Sequence, residues 1–175
     1  MHKQLNYKGK LYSIRAFVFD FDGVLSDGGV WVINNEIVRR TDVKDGYAIQ
    51  YAAKKGYTIA VISGATAPSI IQRMNSLGVT QVFMGCTNKL ETYELFLQEN
   101  GLQEEEVVVV GDDIPDFQMM QRCGVSVCPA DAALEIKEVA DYISLFPGGK
   151  GCARDILEQV MRLQGRWFHA DAVNW

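Results

Sequence analysis

The stretch Asp20-Phe21-Asp22-Gly23 puts two carboxylates two residues apart at the end of the apolar run Ile14 to Phe19. Charge set beside buried apolar chain is costly unless something compensates it, and a bound cation is the natural compensation. The device recurs where Val107 to Val110 runs straight into Gly111-Asp112-Asp113 and then Asp116. Oxygen ligands of this kind suit a hard cation, and Mg²⁺ takes one or two carboxylates plus substrate phosphate while keeping several waters. Two other points supply groups of opposite character. Ser63-Gly64 follows Ile62 with a hydroxyl and backbone N–H groups near a helix start, and Lys89 offers a fixed positive charge. Singly, each has a plain structural reading: a turn with an N-cap at Ser63-Gly64, a solvated first-turn lysine at 89, caps at Asp112 and Asp113, a turn from Asp20 to Val24. Their order along the chain argues for one shared site.

The elements that would position them can be read from hydrophobic pattern. Near-continuous apolar runs rich in β-branched residues occur at Ile14 to Phe19, Tyr57 to Ile62, Gln81 to Met84, Val107 to Val110 and Val125 to Val127, the mark of strands buried on both faces. Between and after them lie helical segments at Asp45 to Lys55, Pro68 to Leu77, Lys89 to Asn100, Ile114 to Arg122, Ala132 to Val139 and Ala153 to Leu163. Alternation of this kind predicts an α/β fold, a Rossmann-like parallel sheet with helices on both faces, with ligands at the carboxyl ends of the strands. A β-hairpin is predicted after the first strand, Val30 to Ile33 and Glu36 to Arg40 joined by Asn34-Asn35. The tail Gly165 to Trp175 carries two tryptophans and a phenylalanine, too aromatic for a free solvated end.

With 175 residues, 48% of them hydrophobic, one domain over 1-175 is expected. Seventeen Lys+Arg against twenty-two Asp+Glu leave a net charge of -5 without a basic block, which argues against nucleic acid as partner. No apolar run reaches the roughly 20 residues of a membrane helix, and Met1 to Lys10 lacks the apolar core of a signal peptide. Cysteines 86, 123, 128 and 152 form no CxxC pair and read as free thiols of a reducing, cytoplasmic compartment.

The segments DFDGV, the serine of ISG, the lysine of NKL, and GDDIPD resemble the four motifs of the haloacid dehalogenase superfamily, and the likeness spans nearly the whole chain. That resemblance implies a Mg²⁺-dependent phosphatase in which Asp20 attacks phosphorus and Asp22 serves as general acid and then general base. It also implies a metal held by Asp20, the Asp22 backbone carbonyl and Asp112, substrate phosphate bound by Asp22, Ser63, Gly64 and Lys89, and support from Asp113 and Asp116.

Asp22 to Ser63 and Lys89 to Asp112 leave no room for a cap domain. DFDGVLSDGG (20–29), Asp45-Gly46 and the segment Gly148-Gly149-Lys150-Gly151-Cys152-Ala153-Arg154 resemble, more narrowly, the 3-deoxy-D-manno-octulosonate 8-phosphate phosphatases. The narrower likeness implies a sugar acid phosphate as substrate, a step in lipopolysaccharide sugar biosynthesis, and a homotetramer whose glycine-rich segment helps close an adjoining active site. Ala65 departs from the longer polar residue usual in that group, and Arg73 and Arg154 stand as candidate partners for a sugar carboxylate. Two other readings compete: a phosphatase for a nine-carbon acid sugar phosphate, and, from another class, a phospho-receiver signalling module. The receiver places its phosphoacceptor on a middle strand and has no need of Asp22.

Overall fold

The computed structural model describes residues 7–173. A one-turn helix α1 (Tyr7–Lys10) and the turn Leu11–Ser13 lead into β1 (Ala16–Phe19), followed by the loop Phe21–Leu25. Next come β2 (Ser26–Ile33), β3 (Glu36–Thr41), α2 (Val43–Lys54), β4 (Thr58–Ile62), α3 (Pro68–Ser76), β5 (Gln81–Phe83) and α4 (Lys89–Asn100). The chain continues through β6 (Val107–Val110), α5 (Phe117–Arg122), β7 (Val125–Cys128), α6 (Leu134–Val139), β8 (Tyr142–Ile143) and α7 (Cys152–Leu163). Six strands form one sheet in the order β5-β4-β1-β6-β7-β8, every pairing parallel. The two strands that end in the acidic clusters, β1 and β6, lie side by side with Phe19 opposite Val110.

Each strand feeds two cores because successive side chains point to opposite faces. Phe17 and Phe19 pack with Ile49, Tyr51, Met74, Ile156 and Val160 from α2, α3 and α7. Ala16 and Val18 face the other way, toward Tyr93, Phe96, Met119 and Ile136 from α4, α5 and α6. Full burial of each such side chain is worth roughly 1.5–3 kcal/mol, so the two layers clamp β1 and β6 from both faces.

The β2–β3 pair is a separate antiparallel ribbon, turned by Asn34 and Asn35 at φ 51 and 64. Both values lie in the left-handed region that the tight mirror-image hairpin turn demands. Helix α2 starts two residues earlier than its apolar pattern predicts because the Asp42 side chain accepts from the N–H groups of Lys44 and Asp45. The predicted helix Ile114 to Arg122 opens as a 3-10 turn (Ile114–Asp116) before α5, and β8 is an addition to the predicted strands. No helix among the described residues is long and apolar enough to cross a membrane.

The aromatic tail finds its partner within its own chain. Trp167 sets its ring edge-on to Tyr47 and Tyr51 of α2, the Tyr47 hydroxyl donates to the Ala172 carbonyl, and Lys55 pairs with Asp171 at 2.6 Å. Trp175 lies outside the described residues.

Candidate active site

At the carboxyl ends of β1, β4 and β6, a cavity of about 490 Å³ is lined by Asp20, Asp22, Ser63, Gly64, Ala65, Lys89, Asp112, Asp113 and Asp116, among others. Asp20 follows β1 and is buried, with its N–H donating to the Val110 carbonyl at 2.9 Å. Gly23, at φ +86, then turns the chain, and a Cβ there would stand 2.0 Å from Asp112 Oδ2. The glycine therefore lets the carboxylate from the β6 end lie directly over the β1 loop.

Lys89 is the first residue of α4, where the helix dipole opposes a cation. It is buried all the same, because Nζ reaches Asp20 Oδ1 at 2.8 Å and Asp116 Oδ1 at 2.7 Å. Burial works against its charge, but the two carboxylates outweigh burial and raise its pKa. Asp116 is consumed as a brace: its Oδ2 accepts the Asp112 N–H at 3.1 Å. Asp113 caps the turn into α5 by accepting the Ile114 N–H. Ser63 is buried, its Oγ accepting the Ala65 N–H at 3.2 Å. Helix α3 starts at Pro68, as its pattern predicts, so Gly64 offers its N–H from the loop that precedes the helix.

The electrostatics favour a bound cation. Asp20, Asp112 and Asp116 each bring a carboxylate oxygen within 4.8 Å of the others. Burial, then the charge of Asp116, pushes Asp20 up to about 6. Burial, then Asp20, Asp116 and Asp113, pushes Asp112 up to about 8. Asp112 Oδ1 is buried without a hydrogen-bond partner. A buried, unpaired acceptor beside two other carboxylates is the geometry a hard cation satisfies, so the residues present fit Mg²⁺.

A model of the haloacid dehalogenase-like hydrolases matches residues 82–154. Over 158 residues the chain is 35% identical to the 3-deoxy-D-manno-octulosonate 8-phosphate phosphatase KdsC of Escherichia coli strain K12, covering 90% of this chain and 84% of that protein. The chain belongs to this phosphatase family. Solved members superpose closely. The enzyme from Yersinia pestis gives a TM-score of 0.89 at 32% identity, covering 91% of this chain and 87% of its own. That from Moraxella catarrhalis, in complex with magnesium ion, phosphate ion and a KDO molecule, gives 0.89 at 25% identity, covering 92% and 93%.

Two residues proposed from sequence are not brought to the cavity of their own chain. Arg73 lies behind the loop, its Nη2 2.5 Å from where a Cβ on Gly46 would stand. Arg154 sits over the rings of Tyr47 and Trp167 and pairs with Glu158. Both arginines were chosen for charge, and helical position sends that charge elsewhere. A larger groove of about 670 Å³ is lined in part by Arg154, Asp155, Glu158 and Arg162, where both arginines pair with Glu158 and Asp155 accepts from Tyr142 and Ser144.

The family's glycine-rich segment also works in its own chain. Gly148 lies so close that a Cβ would come within 1.9 Å of the Gly23 carbonyl oxygen, and the Gly149 N–H donates to the Val24 carbonyl at 2.8 Å. Asp45 completes the brace from α2, accepting the N–H groups of Gly151 at 3.0 Å and Arg154 at 2.7 Å where α7 begins. Gly148→Ala is therefore expected to displace the loop that carries Asp22, lowering kcat/KM by about a hundredfold. Overpacking should also cost about 1–3 kcal/mol of stability. Steady-state kinetics and thermal melting check both; wild-type values in each would show that the contact does not matter.

Sequence reasoning missed Arg39. Its Nε donates to Asp22 Oδ1 at 2.7 Å. No local signal marked it, because alternation along the strand separates Arg39 from Arg40 but does not say which of them faces the acidic loop.

Proposed function

We propose that this chain hydrolyses 3-deoxy-D-manno-octulosonate 8-phosphate to the free sugar acid and inorganic phosphate through a phosphoryl group carried on Asp20. The observation that carries the reading is the convergence of Asp20, Asp22, Asp112 and a buried Lys89 in one cavity, in a chain so similar to a phosphatase of that substrate. Asp20, Asp112 and the Asp22 backbone carbonyl would hold Mg²⁺, which when bound supplies positive charge between nucleophile and phosphate. A carboxylate oxygen of Asp20 attacks phosphorus as the bond to the sugar oxygen breaks. Asp22 gives its proton to that departing oxygen. It then takes one from the water that attacks the phosphoryl group, freeing phosphate and regenerating Asp20. Lys89 holds Asp20 and offers charge to the phosphoryl oxygens, while the Ser63 hydroxyl and the Gly64 N–H receive the rest. Asp116 keeps Lys89 in place, and Asp113 stabilises the turn that presents Asp112.

Phosphate release from the eight-carbon acid sugar phosphate, its nine-carbon homologue and hexose phosphates, with and without Mg²⁺, tests the substrate. The eight-carbon ester is expected to be preferred. A higher kcat/KM on the nine-carbon ester would move the assignment to that homologue, and activity on none of them would remove it. Ala65 lines the cavity and brings no charge, so the specificity measured will rest on other residues. Four free cysteines support action in a reducing cytoplasm.

Assembly as a homotetramer with shared active sites belongs to the same reading. On the hairpin, Trp31 is 68% exposed and Val32 73%, and Ile33, Ile37 and Val38 are also exposed. An isolated ribbon with that much apolar surface is marginal in water, and closed association would cover both the surface and the strand edges. Sedimentation is expected to give a tetramer, and a fully active monomer would contradict it. Mixing Asp20→Asn with Arg154→Ala chains, after dissociation and reassembly, tests whether Arg154 serves a neighbour's site; recovered activity supports that role and none in proven mixed tetramers removes it.

A further inference from the structure

Asp22 is held by one oxygen. Arg39 Nε donates to Oδ1 at 2.7 Å and Ser26 Oγ donates to the same atom at 3.1 Å. No hydrogen bond reaches Oδ2 among the described residues, and Asp22 lines the cavity.

Arg39 is out of keeping with its strand. Its neighbours Ile37, Val38 and Arg40 are exposed, Arg40 with 64% of its side chain in solvent, whereas the Arg39 side chain is only 12% exposed. The cause is a break in the hairpin ladder: Ser26 pairs with Thr41 and Val30 with Arg39, which leaves Asp27, Gly28 and Gly29 opposite Arg40 alone. Such bulges bend a strand and re-aim a side chain. Arg40 takes up the other face, pairing with Asp27 at 2.9 Å. A planar guanidinium fixes the direction of a carboxylate better than a rotating hydroxyl does.

We infer that Arg39 is the positioning residue of the acid–base carboxylate: together with Ser26 it holds Oδ1 of Asp22 and presents Oδ2 to the oxygen of the departing sugar. The inference rests on the acid–base role of Asp22 proposed for the hydrolysis. It makes a two-stranded ribbon, otherwise detached from the main sheet, part of the machinery that delivers a proton.

The test separates this role from substrate binding and from folding. Using the full chain with Mg²⁺, kcat and KM are measured for the sugar acid phosphate, for glycerol phosphate and for 4-nitrophenyl phosphate, in wild type, Arg39→Ala, Arg39→Lys and Asp22→Asn. The first two esters have alkoxide leaving groups that need a proton, whereas 4-nitrophenolate departs without one. Arg39→Ala is expected to lower kcat/KM on both alkyl esters by about tenfold to a hundredfold, with less than about a threefold change on the aryl ester. Arg39→Lys should recover part of the loss, and serves as the test variant if the alanine protein does not fold.

Equal losses on all three esters would overturn the role in favour of phosphate binding or general damage. Loss confined to the sugar acid would overturn it in favour of carboxylate recognition, and no loss would end it outright. Asp22→Asn distinguishes the two levels. If its kcat/KM, which reports the step in which the leaving group departs, shows no dependence on leaving group, the acid–base assignment itself falls. If it does and Arg39→Ala does not, only the positioning role falls.

Discussion

Asp20→Asn is expected to reduce turnover by at least about ten-thousand-fold, as removal of a nucleophile does in other covalent mechanisms, while leaving the protein folded and no less stable. The second half comes from the surroundings of Asp20. Burial and the charge of Asp116 hold its carboxyl up at about 6, so the ionised form is disfavoured where it stands. An amide of the same shape carries no charge to desolvate, and Lys89 keeps Asp116 as its partner at 2.7 Å. Activity measured beside thermal melting decides the matter. Turnover within tenfold of wild type would defeat the nucleophile assignment, and a collapsed melting temperature would show that Asp20 is needed for the fold instead.

Metal removal is the second large effect. In a chelator, hydrolysis is expected to fall by about a thousandfold or more, equivalent to roughly 4 kcal/mol of lost charge stabilisation, and Mg²⁺ should restore it. A readout independent of turnover exists because a ligand that binds only the folded state raises its melting temperature. Mg²⁺ should stabilise the wild-type protein, and Asp112→Asn should abolish most of that shift. The reason is local: Asp112 Oδ1 is buried and unpartnered, and its carboxyl is pushed up to about 8 by burial and by three neighbouring aspartates. Full activity in a chelator, or an unchanged Mg²⁺ shift in Asp112→Asn, would take the metal or that ligand out of the account.

Much of this arrangement was legible because it is written in local pattern. Val107 to Val110 has no polar position, so both faces must be covered, and the residues next after such a strand emerge at the sheet's carboxyl edge. Asp20, Asp22, Ser63, Lys89 and Asp112 were found by asking what each strand delivers there, and all of them line one cavity. The hairpin turn was legible for a similar reason, since Asn34-Asn35 is one of few pairs that accept two positive φ values.

The parts that were not legible depend on contacts between distant segments. Strand β8 has only two residues, too few for any period to register. Arg39 turns inward because of a bulge three residues wide on the partner strand, not because of its own alternation. The stacking of the Arg154 guanidinium on Tyr47 and Trp167 joins three separate segments of the chain, which no local pattern shows. The Gly148-Gly149 segment lies against Gly23 and Ser26 because it lacks side chains, a contact between segments more than a hundred residues apart that composition alone does not reveal.

The most direct test of the central claim is to look for the phosphoryl group on Asp20. Asp22→Asn, lacking the proton carrier for the water step, should accumulate the adduct when supplied with 4-nitrophenyl phosphate and Mg²⁺. Acid quenching and then peptide mass mapping are expected to find one phosphoryl group on the peptide containing Asp20, and none when Asp20 is also replaced by Asn. A phosphoryl group on a peptide carrying Asp112 or Asp116, or rapid wild-type turnover with no adduct on Asp20 under any quench, would contradict the account.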